Sequence, residues 1–436
     1  MPHIHDTVPA LSNALSPPVV RGTAALSGPA YCGADIRTLL DRVAPRQLST
    51  ASLATTTDAA WLYDASVIHQ LGFRKDAALA IQDRALGLSR IFRVAGRFGH
   101  AHGRMLRVLA VCAPGDLMVN TPLDFITNEL PVRLDLLFVR GDEPLPPVIP
   151  DHDVAFFAVG EADPTMLRRL QRLFAIWPRP ALNDPTYLPM MARDTLAHSL
   201  RNVPGLCSPT AITITRRDLE RHLRKHQKLP GFDGQNGPFP CLIRPIRSHA
   251  GAALSKLVCD ADLYAYLLLS LEQNFYLTAF EDYASPDGLY RKLRVAFVDR
   301  EPFLCHMAVS RHWMVHYLNA GMSESAEKRA MEETAMANFR SGFARGHAAA
   351  FEALHERLGF DYYSIDCAET RDGRLLVFEA DTAAIIHMMD PPELFPYKPT
   401  QMQRVFQAFG AMLHRNVARQ SAPIWEDRRI AATVPA

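Results

Sequence analysis

The stretch DCAETRDGRLLVFEAD, residues 366–381, contains an Asp-Gly pair between two apolar segments. Asp372-Gly373 is typical of a two-residue β-hairpin turn, because both central residues of that turn need a positive φ. Pairing Arg371 with Arg374 and counting outward along both strands sets Asp366 directly opposite Glu379. The sequence therefore predicts a hairpin in which two acids face each other.

A third acid, Asp381, falls on the same face as Glu379, because side chains on one face of a strand recur every two residues. Like charges directly opposite each other destabilise a sheet, and such a cluster is tolerated when a proton or a cation sits within it. Hard divalent cations take oxygen ligands of this kind. A surface hairpin with solvated acids is the alternative, and the apolar residues Ile365 and 376–378 make it the less favoured one.

Composition and charge are those of an ordinary globular protein. The 436 residues suggest two or three domains. The chain is 48% hydrophobic and 21% charged with a net charge of +1, which gives no reason to expect nucleic acid or a membrane as partner. Seven scattered cysteines favour a reducing compartment. The first residues lack a secretion signal, so we expect a cytoplasmic protein.

Residues 1–103 are predicted to form an irregular start, with a short helix around 35–43, followed by a helical appendage. Apolar residues recur at helical spacing over 57–95 in two segments broken at Gly72. This helical hairpin resembles one degenerate tetratricopeptide unit. Because such units normally come in threes, an appendage is favoured over a peptide-binding array.

Residues 104–188 are predicted to form a small α/β domain. Short apolar runs that end in Gly, at 107–115, 134–141 and 154–160, are typical of buried parallel strands. A helix follows at 164–177. The first run ends in APGD and lacks the G-x-G-x-x-G pattern, so no dinucleotide is expected there.

Residues 189–420 are predicted to form a second, larger module. It begins with helices at 189–202 and 217–227, continues with strands that alternate like an antiparallel sheet, and includes a long helix at 324–358. The basic helix at 217–227 has no interleaved aromatic residues, so a solvated face is favoured over nucleic-acid binding.

Cations in this module form candidate phosphate contacts. A cation at a strand end beside a flexible loop can clamp a phosphate. The residues in question are Arg244, then Ser248, His249 and Gly251 in the loop, and Lys256 beyond it. Lys292 and Arg294 follow two residues apart, hence on one strand face, although a surface salt-bridge strand would show the same spacing.

The order of these features resembles the ATP-grasp superfamily, most of all the bacterial glutathione synthase/RimK-type ligases. The pairing of DYYSIDC with LLVFEAD is similar to that family's metal hairpin, and the likeness covers about 105–400. It implies an ATP-grasp fold of mixed α/β and α+β class: a pre-ATP-grasp α/β domain, a two-lobed nucleotide-binding module and the N-terminal helical appendage.

The resemblance also implies roles for single residues. Arg193 and Arg244 stand where the family usually has lysines on the ATP phosphates, and the loop around Ser248, His249 and Gly251 would cover those phosphates. The segment FEDY would form the hinge beside adenine, and Arg294 would face the transferred phosphoryl group. The other ATP-side residues are Lys256, Phe280, Glu281, Asp282, Tyr283 and Lys292. The magnesium ligands would be Asp366, Glu379 and Asp381, the last in place of the family's usual Asn.

The activity implied is that of an ATP-dependent ligase, which joins a carboxylate to an amine or thiol through an acyl phosphate. ATP and Mg²⁺, or Mn²⁺, would be the cofactors, and related enzymes are often homo-oligomers. A small-molecule kinase and a catalytically silent nucleotide-binding protein remain alternatives. His306 and His312 could line the acceptor site, although histidines satisfied within the fold are more common.

Overall fold

The computed structural model describes residues 11–12, 19–21, 55–72, 74–94, 105–225, 228–229, 232, 238–246, 248 and 251–421. The helix expected at 35–43 lies outside these residues. Contacts divide the chain into two units: residues 1–186 with 382–436, and residues 187–381. The second unit thus ends at Asp381, whereas the sequence predicted a module that extends to residue 420.

The helices in chain order are α1 (Ala59–Leu71), α2 (Lys75–Leu88), α3 (Leu123–Thr127), α4 (Pro164–Ala175), α5 (Arg193–Ser199), α6 (Arg216–Lys225), α7 (Asp260–Leu269), α8 (Ala326–Asn338), α9 (Ala348–Leu358) and α10 (Lys398–Ser421). The strands are β1 (Leu11–Ser12), β2 (Val19–Arg21), β3 (Ile91–Val94), β4 (Leu106–Cys112), β5 (Val132–Phe138), β6 (Ile149–Pro150), β7 (Val154–Phe157), β8 (Ala181–Leu182), β9 (Leu206–Cys207), β10 (Ala211–Thr215), β11 (Cys241–Pro245), β12 (Ser255–Leu257), β13 (Asn274–Ala279), β14 (Tyr290–Val298), β15 (Glu301–Ser310), β16 (Tyr362–Glu369) and β17 (Leu375–Asp381).

A six-stranded sheet of order β2-β3-β5-β4-β7-β8 forms the centre of the first unit. Strands β5, β4, β7 and β8 run parallel, and β3 runs antiparallel to β5. The apolar runs form these strands because side chains on both faces of a parallel sheet are buried. The predicted α/β arrangement of this segment is therefore present.

The helical hairpin of α1 and α2 belongs to the same unit. Asp58 caps α1 by accepting a hydrogen bond from the Trp61 amide at 3.1 Å, and the helix ends at Gly72. The Gln82 carboxamide on α2 exchanges two hydrogen bonds with the Gly115 backbone, at 2.8 and 2.9 Å. The hairpin is thereby attached to the loop after β4.

A four-stranded antiparallel sheet of order β10-β13-β11-β12 opens the second unit. Helices α6 and α7 pack against it through a shared apolar core. That core includes Ile214, Leu219, Cys241, Ile243, Leu257, Leu263, Leu267, Phe275 and Leu277. The basic residues of α6 lie outside this core, as the period of its apolar residues predicts.

A five-stranded sheet of order β15-β14-β16-β17-β9 completes the second unit. The first four strands pair antiparallel, and the rings of Phe297 and Tyr363 stack in its core with centroids 4.7 Å apart. The single helix predicted at 324–358 is wrong. It is divided into α8 and α9 by a π-helical turn at Arg340–Ala344, a local irregularity that hydrophobic spacing does not reveal.

No helix within the described residues is both long enough and apolar enough to cross a bilayer.

Candidate active site

The hairpin of β16 and β17 has the predicted pairing of acids but a different turn. Asp366 pairs with Glu379, as expected. The turn, however, is a three-residue loop: the Thr370 amide bonds to the Arg374 carbonyl oxygen at 2.9 Å, and only Gly373 has a positive φ, of 77°. The predicted two-residue turn is therefore wrong. A register shift between Asp366 and Cys367, which leaves Phe378 as an extra residue in β17, restores the pairing.

Four neighbouring strands carry one line of titratable side chains, which we call the site row. It consists of His306 on β15, Arg294 on β14, Asp366 on β16 and Glu379 on β17, each the direct partner of the next. Directly opposed residues project from the same face, with Cβ atoms about 5 Å apart. The pairing thus brings the predicted catalytic arginine and two predicted metal ligands together.

Asp366 receives two cations. Arg294 donates to both carboxylate oxygens, at 2.8 and 3.1 Å, and Lys292 Nζ lies 2.7 Å from Oδ2. Burial alone would raise the pKa of Asp366, but Arg294 and Lys292 hold the pKa well below its ordinary value. Asp366 is therefore ionised at neutral pH even though only 4% of it is exposed.

Glu379 is bound by the predicted phosphate contact Arg193, whose Nη2 forms an ion pair with Oε2. Burial would raise the pKa of Glu379, but Arg193, Lys292 and Arg244 lower it. Burial and the repulsion from Arg193 lower the pKa of Arg244 to about 10. Two cations thus crowd this end of the site row, and Arg244 stays protonated at neutral pH.

The loop expected to cover phosphates begins against Arg244. The guanidinium donates to Ser248 Oγ at 3.0 Å and to the Ser248 carbonyl oxygen. Gly251 has a φ of 75°, a conformation that L side chains rarely adopt. His249 lies outside the described residues. Lys256 packs over the Phe280 ring, 3.4 Å from its centroid, so this cation lies at the expected hinge.

The segment Phe280–Tyr283 connects β13 and β14 and is tied to the hairpin. Asp282 accepts from Arg371 Nη2 at 3.1 Å and from the Tyr290 hydroxyl at 2.9 Å. The Tyr283 hydroxyl donates to the Trp313 carbonyl oxygen at 2.6 Å. Asp282 and Tyr283 thus hold this loop in place, and Glu281 precedes them in it.

Asp381 pairs with Ser364, two residues along the hairpin from the pair of Asp366 and Glu379. It lies on the same face as Glu379, because side chains alternate between the two faces of β17. Within the described ranges, no three His, Cys, Asp or Glu side chains are gathered closely enough to hold a metal ion as they stand. The two acids of the site row are engaged by Arg294, Lys292 and Arg193 instead.

Sequence reasoning missed His316. It lies in the loop after β15, and burial together with Lys292 and Arg294 lowers its pKa. His316 is therefore neutral at neutral pH, and it lies close enough to Lys292 and Arg294 to be affected by their charge. No periodic pattern marks a loop residue of this kind, so its place depends on contacts between residues distant in the chain.

No family model and no curated protein matches this chain. Among solved structures, the D-alanine–D-alanine ligase from Bacillus anthracis complexed with ATP is 13% identical, with 72% of this chain and 98% of that chain covered and a TM-score of 0.42. The VanG D-Ala:D-Ser ligase from Enterococcus faecalis is 13% identical over 72% and 99%, with a TM-score of 0.41.

A RimK domain ATP-grasp protein from Sphaerobacter thermophilus is 16% identical, covering 71% of this chain and 99% of that chain, with a TM-score of 0.39. Likenesses at this level assign no activity, because one fold hosts many reactions. The chain is similar to these two ligases and to the ATP-grasp protein at this low level of identity and superposition.

Proposed function

We propose that this protein is an ATP-dependent ligase that joins a carboxylate to an amine or thiol through an acyl phosphate, with release of ADP and phosphate. The observation that supports this most is the site row, in which Arg294, Asp366 and Glu379 lie in register across three strands. Fixed cations and ionised carboxylates on one rigid sheet face suit phosphoryl transfer, which requires positioning and charge stabilisation more than covalent chemistry.

The cation pair of Arg193 and Arg244 supports the binding of a polyphosphate. Burial and the repulsion from Arg193 together lower the pKa of Arg244 to about 10, and Glu379 offsets this only in part. An anion placed between them would relieve the repulsion. Arginine also presents a fork of donors that matches phosphate oxygens better than the point charge of a lysine.

Asp366, Glu379 and Asp381 would hold Mg²⁺ or Mn²⁺. Their oxygens are the donors that hard cations prefer, and the lowered pKa values of Asp366 and Glu379 keep both in the ionised form that binds a metal. When bound, such an ion neutralises charge on the phosphates.

Arg294 would stabilise the transferred phosphoryl group and the acyl phosphate that follows. Its two hydrogen bonds to Asp366 fix the guanidinium plane before any substrate arrives. An orientation set in advance lowers the cost of charge development in the transition state. We therefore assign the catalytic role to Arg294.

A side-chain nucleophile is not needed in this reaction, and three buried cysteines of the second unit are poorly suited to be one. Burial raises the pKa of Cys241 to about 12 and the pKa of Cys207 to about 11. Burial likewise raises the pKa of Cys367 well above its ordinary value. These thiols are protonated at neutral pH, and the thiolate is the reactive form.

The experiment is a hydroxylamine trap. The protein is incubated with ATP, Mg²⁺, hydroxylamine and a panel of amino acids and small carboxylic acids, and both ADP and hydroxamate are measured. We expect hydroxamate to form with at least one carboxylate, since hydroxylamine captures an acyl phosphate. A phosphorylated product without hydroxamate indicates a kinase, and nucleotide binding without turnover indicates a silent protein.

Two variants test the site within the same assay. Glu379→Gln removes the negative charge that would bind the metal ion and that pairs with Arg193, so we expect the rate to fall on the order of 100-fold or more. Asp381→Asn keeps an oxygen donor at its position and should retain most activity. Near-normal turnover in Glu379→Gln would contradict the assignment of the site.

A further inference from the structure

One end of the site row lies on β15, the edge strand of its sheet, and carries His306. His306 is half-buried, and the residues on either side of it, Cys305 and Met307, are buried. Its pairing with Arg294 places it on the face from which Arg294 projects. Across the four strands the site row thus begins with His306, continues with the proposed phosphoryl contact Arg294 and ends with the proposed metal ligands.

A buried carboxylate holds the aromatic ring that packs against the imidazole of His306. The ring of Tyr317 lies 4.6 Å from the His306 ring, centroid to centroid. The Tyr317 hydroxyl donates to Glu332 Oε2 at 3.3 Å, and Glu332 Oε1 accepts from the Met307 amide at 2.9 Å. Glu332 is fully buried, so these bonds fix Tyr317 and the strand beside His306.

We propose that His306 is the base of the acceptor site and that the acceptor is an amine. This inference rests on the proposed ligase function. The amine nitrogen attacks the acyl carbon of the acyl phosphate and forms the C–N bond, while the C–O bond to phosphate breaks and phosphate leaves with the electron pair. The nitrogen arrives as an ammonium and loses two protons in all: the first passes to an imidazole nitrogen of His306 before the attack and then to solvent, and the second leaves with the phosphate.

The position of His306 suits this step, because Arg294, directly opposite it, holds the acyl phosphate under attack. An ammonium group has no free electron pair, so a base within hydrogen-bond reach is required, and such a base typically contributes about 10²- to 10⁴-fold in rate. The charged and titratable groups that face His306 are its strand partner Arg294, Asp366 beyond it, the ring of Tyr317 and, behind that ring, Glu332. Burial and the cations Lys292 and Arg294 lower the pKa of His316, which disfavours His316 as the base.

The test compares two acceptors in wild type and in His306→Gln, with the carboxylate found by the hydroxylamine trap. Hydroxylamine is largely unprotonated at neutral pH and needs no base, whereas the amino acids, supplied as a pool, are protonated amines. We expect His306→Gln to lose amide formation by roughly 100-fold or more while hydroxamate formation stays within about threefold. His306→Asn should show the same split, and His198→Gln, a change at an exposed histidine of the same unit, should show neither loss.

Each other result overturns the proposal. Equal loss with both acceptors means that His306 has a structural role, and no loss means that it takes no part. The same split in His316→Gln but not in His306→Gln assigns the base to His316. Hydroxamate without any amide in wild type excludes an amine acceptor. The absence of hydroxamate in wild type overturns the ligase function itself, and the inference with it.

Discussion

At the scale of single residues, two histidine nitrogens in the first unit have defined protonation states. Trp177 Nε1 donates to His152 Nε2 at 3.0 Å, so Nε2 is the acceptor and the proton is on Nδ1, which donates to the Pro150 carbonyl oxygen at 2.8 Å. A second proton on Nε2 would place two N–H donors, those of His152 and Trp177, against each other. Burial lowers the pKa of His152, although the bond to Pro150 opposes this.

His152 should therefore make stability depend on pH. Its pKa is lower in the folded chain than the ordinary value near 6.5, so the unfolded chain takes up a proton first, and stability is lost as pH falls below about 7. The free energy of unfolding, measured with urea at several pH values, should depend less steeply on pH in His152→Asn than in wild type, by up to about 1.4 kcal/mol per pH unit. Exposed His414→Asn should match wild type, and equal slopes for all three would contradict the expectation.

At the scale of elements, helix α7 has one buried face and one exposed face. Leu263 is 1% exposed and belongs to the core shared with the four-stranded sheet, whereas Leu269 is 90% exposed. Both residues are leucines with similar helix propensity, so their difference in stabilisation comes from packing alone. The helix is therefore held by its inner face.

Truncation of these two leucines should have unequal effects. Leu263→Ala removes buried methyl groups and leaves a cavity, so we expect a loss of about 2–5 kcal/mol. Leu269→Ala should change the free energy of unfolding by less than about 0.5 kcal/mol, because an exposed side chain loses little packing. Urea denaturation of both variants measures the contrast, and a loss of similar size in both would show that the outer face of α7 is covered in solution.

The hairpin of β16 and β17 shows what the sequence can and cannot predict. The Asp-Gly pair and the strand period predicted a hairpin with Asp366 opposite Glu379, and both are present. The loop length and the extra residue Phe378 were not predicted, because a three-residue loop and one bulge give the same distant pairing as a regular two-residue turn. Local sequence therefore specified the face of the acids but not the path of the chain.

Contacts between elements far apart in the chain could not be predicted from the sequence either. Arg193, which the family resemblance places on phosphate, forms an ion pair with Glu379, 186 residues away. Nothing in the spacing around either residue reports this ion pair. The parallel strands of the first unit, by contrast, were predicted because each is a continuous apolar run.

At the scale of the whole molecule, the chain crosses between its two units twice, after residue 186 and after residue 381. Every described residue assigned here to ATP, metal or catalysis lies between those points, within residues 187–381. A ligand that binds only the folded form of one unit stabilises that unit by an amount that grows with the logarithm of the ligand concentration relative to Kd. The two units thus provide an internal comparison for nucleotide binding.

We expect calorimetry to resolve two unfolding transitions. A non-hydrolysable ATP analogue with Mg²⁺ should raise the midpoint temperature of one of them. At 100 times Kd the stabilisation is about 2.7 kcal/mol, which corresponds to roughly 5–10 °C for a unit of this size. Leu263→Ala, in the second unit, should lower the transition that the nucleotide raises. Phe156→Leu, at a fully buried position of the first unit, should lower the other. If nucleotide instead raised the transition that Phe156→Leu lowers, the placement of the ATP site within residues 187–381 would be wrong.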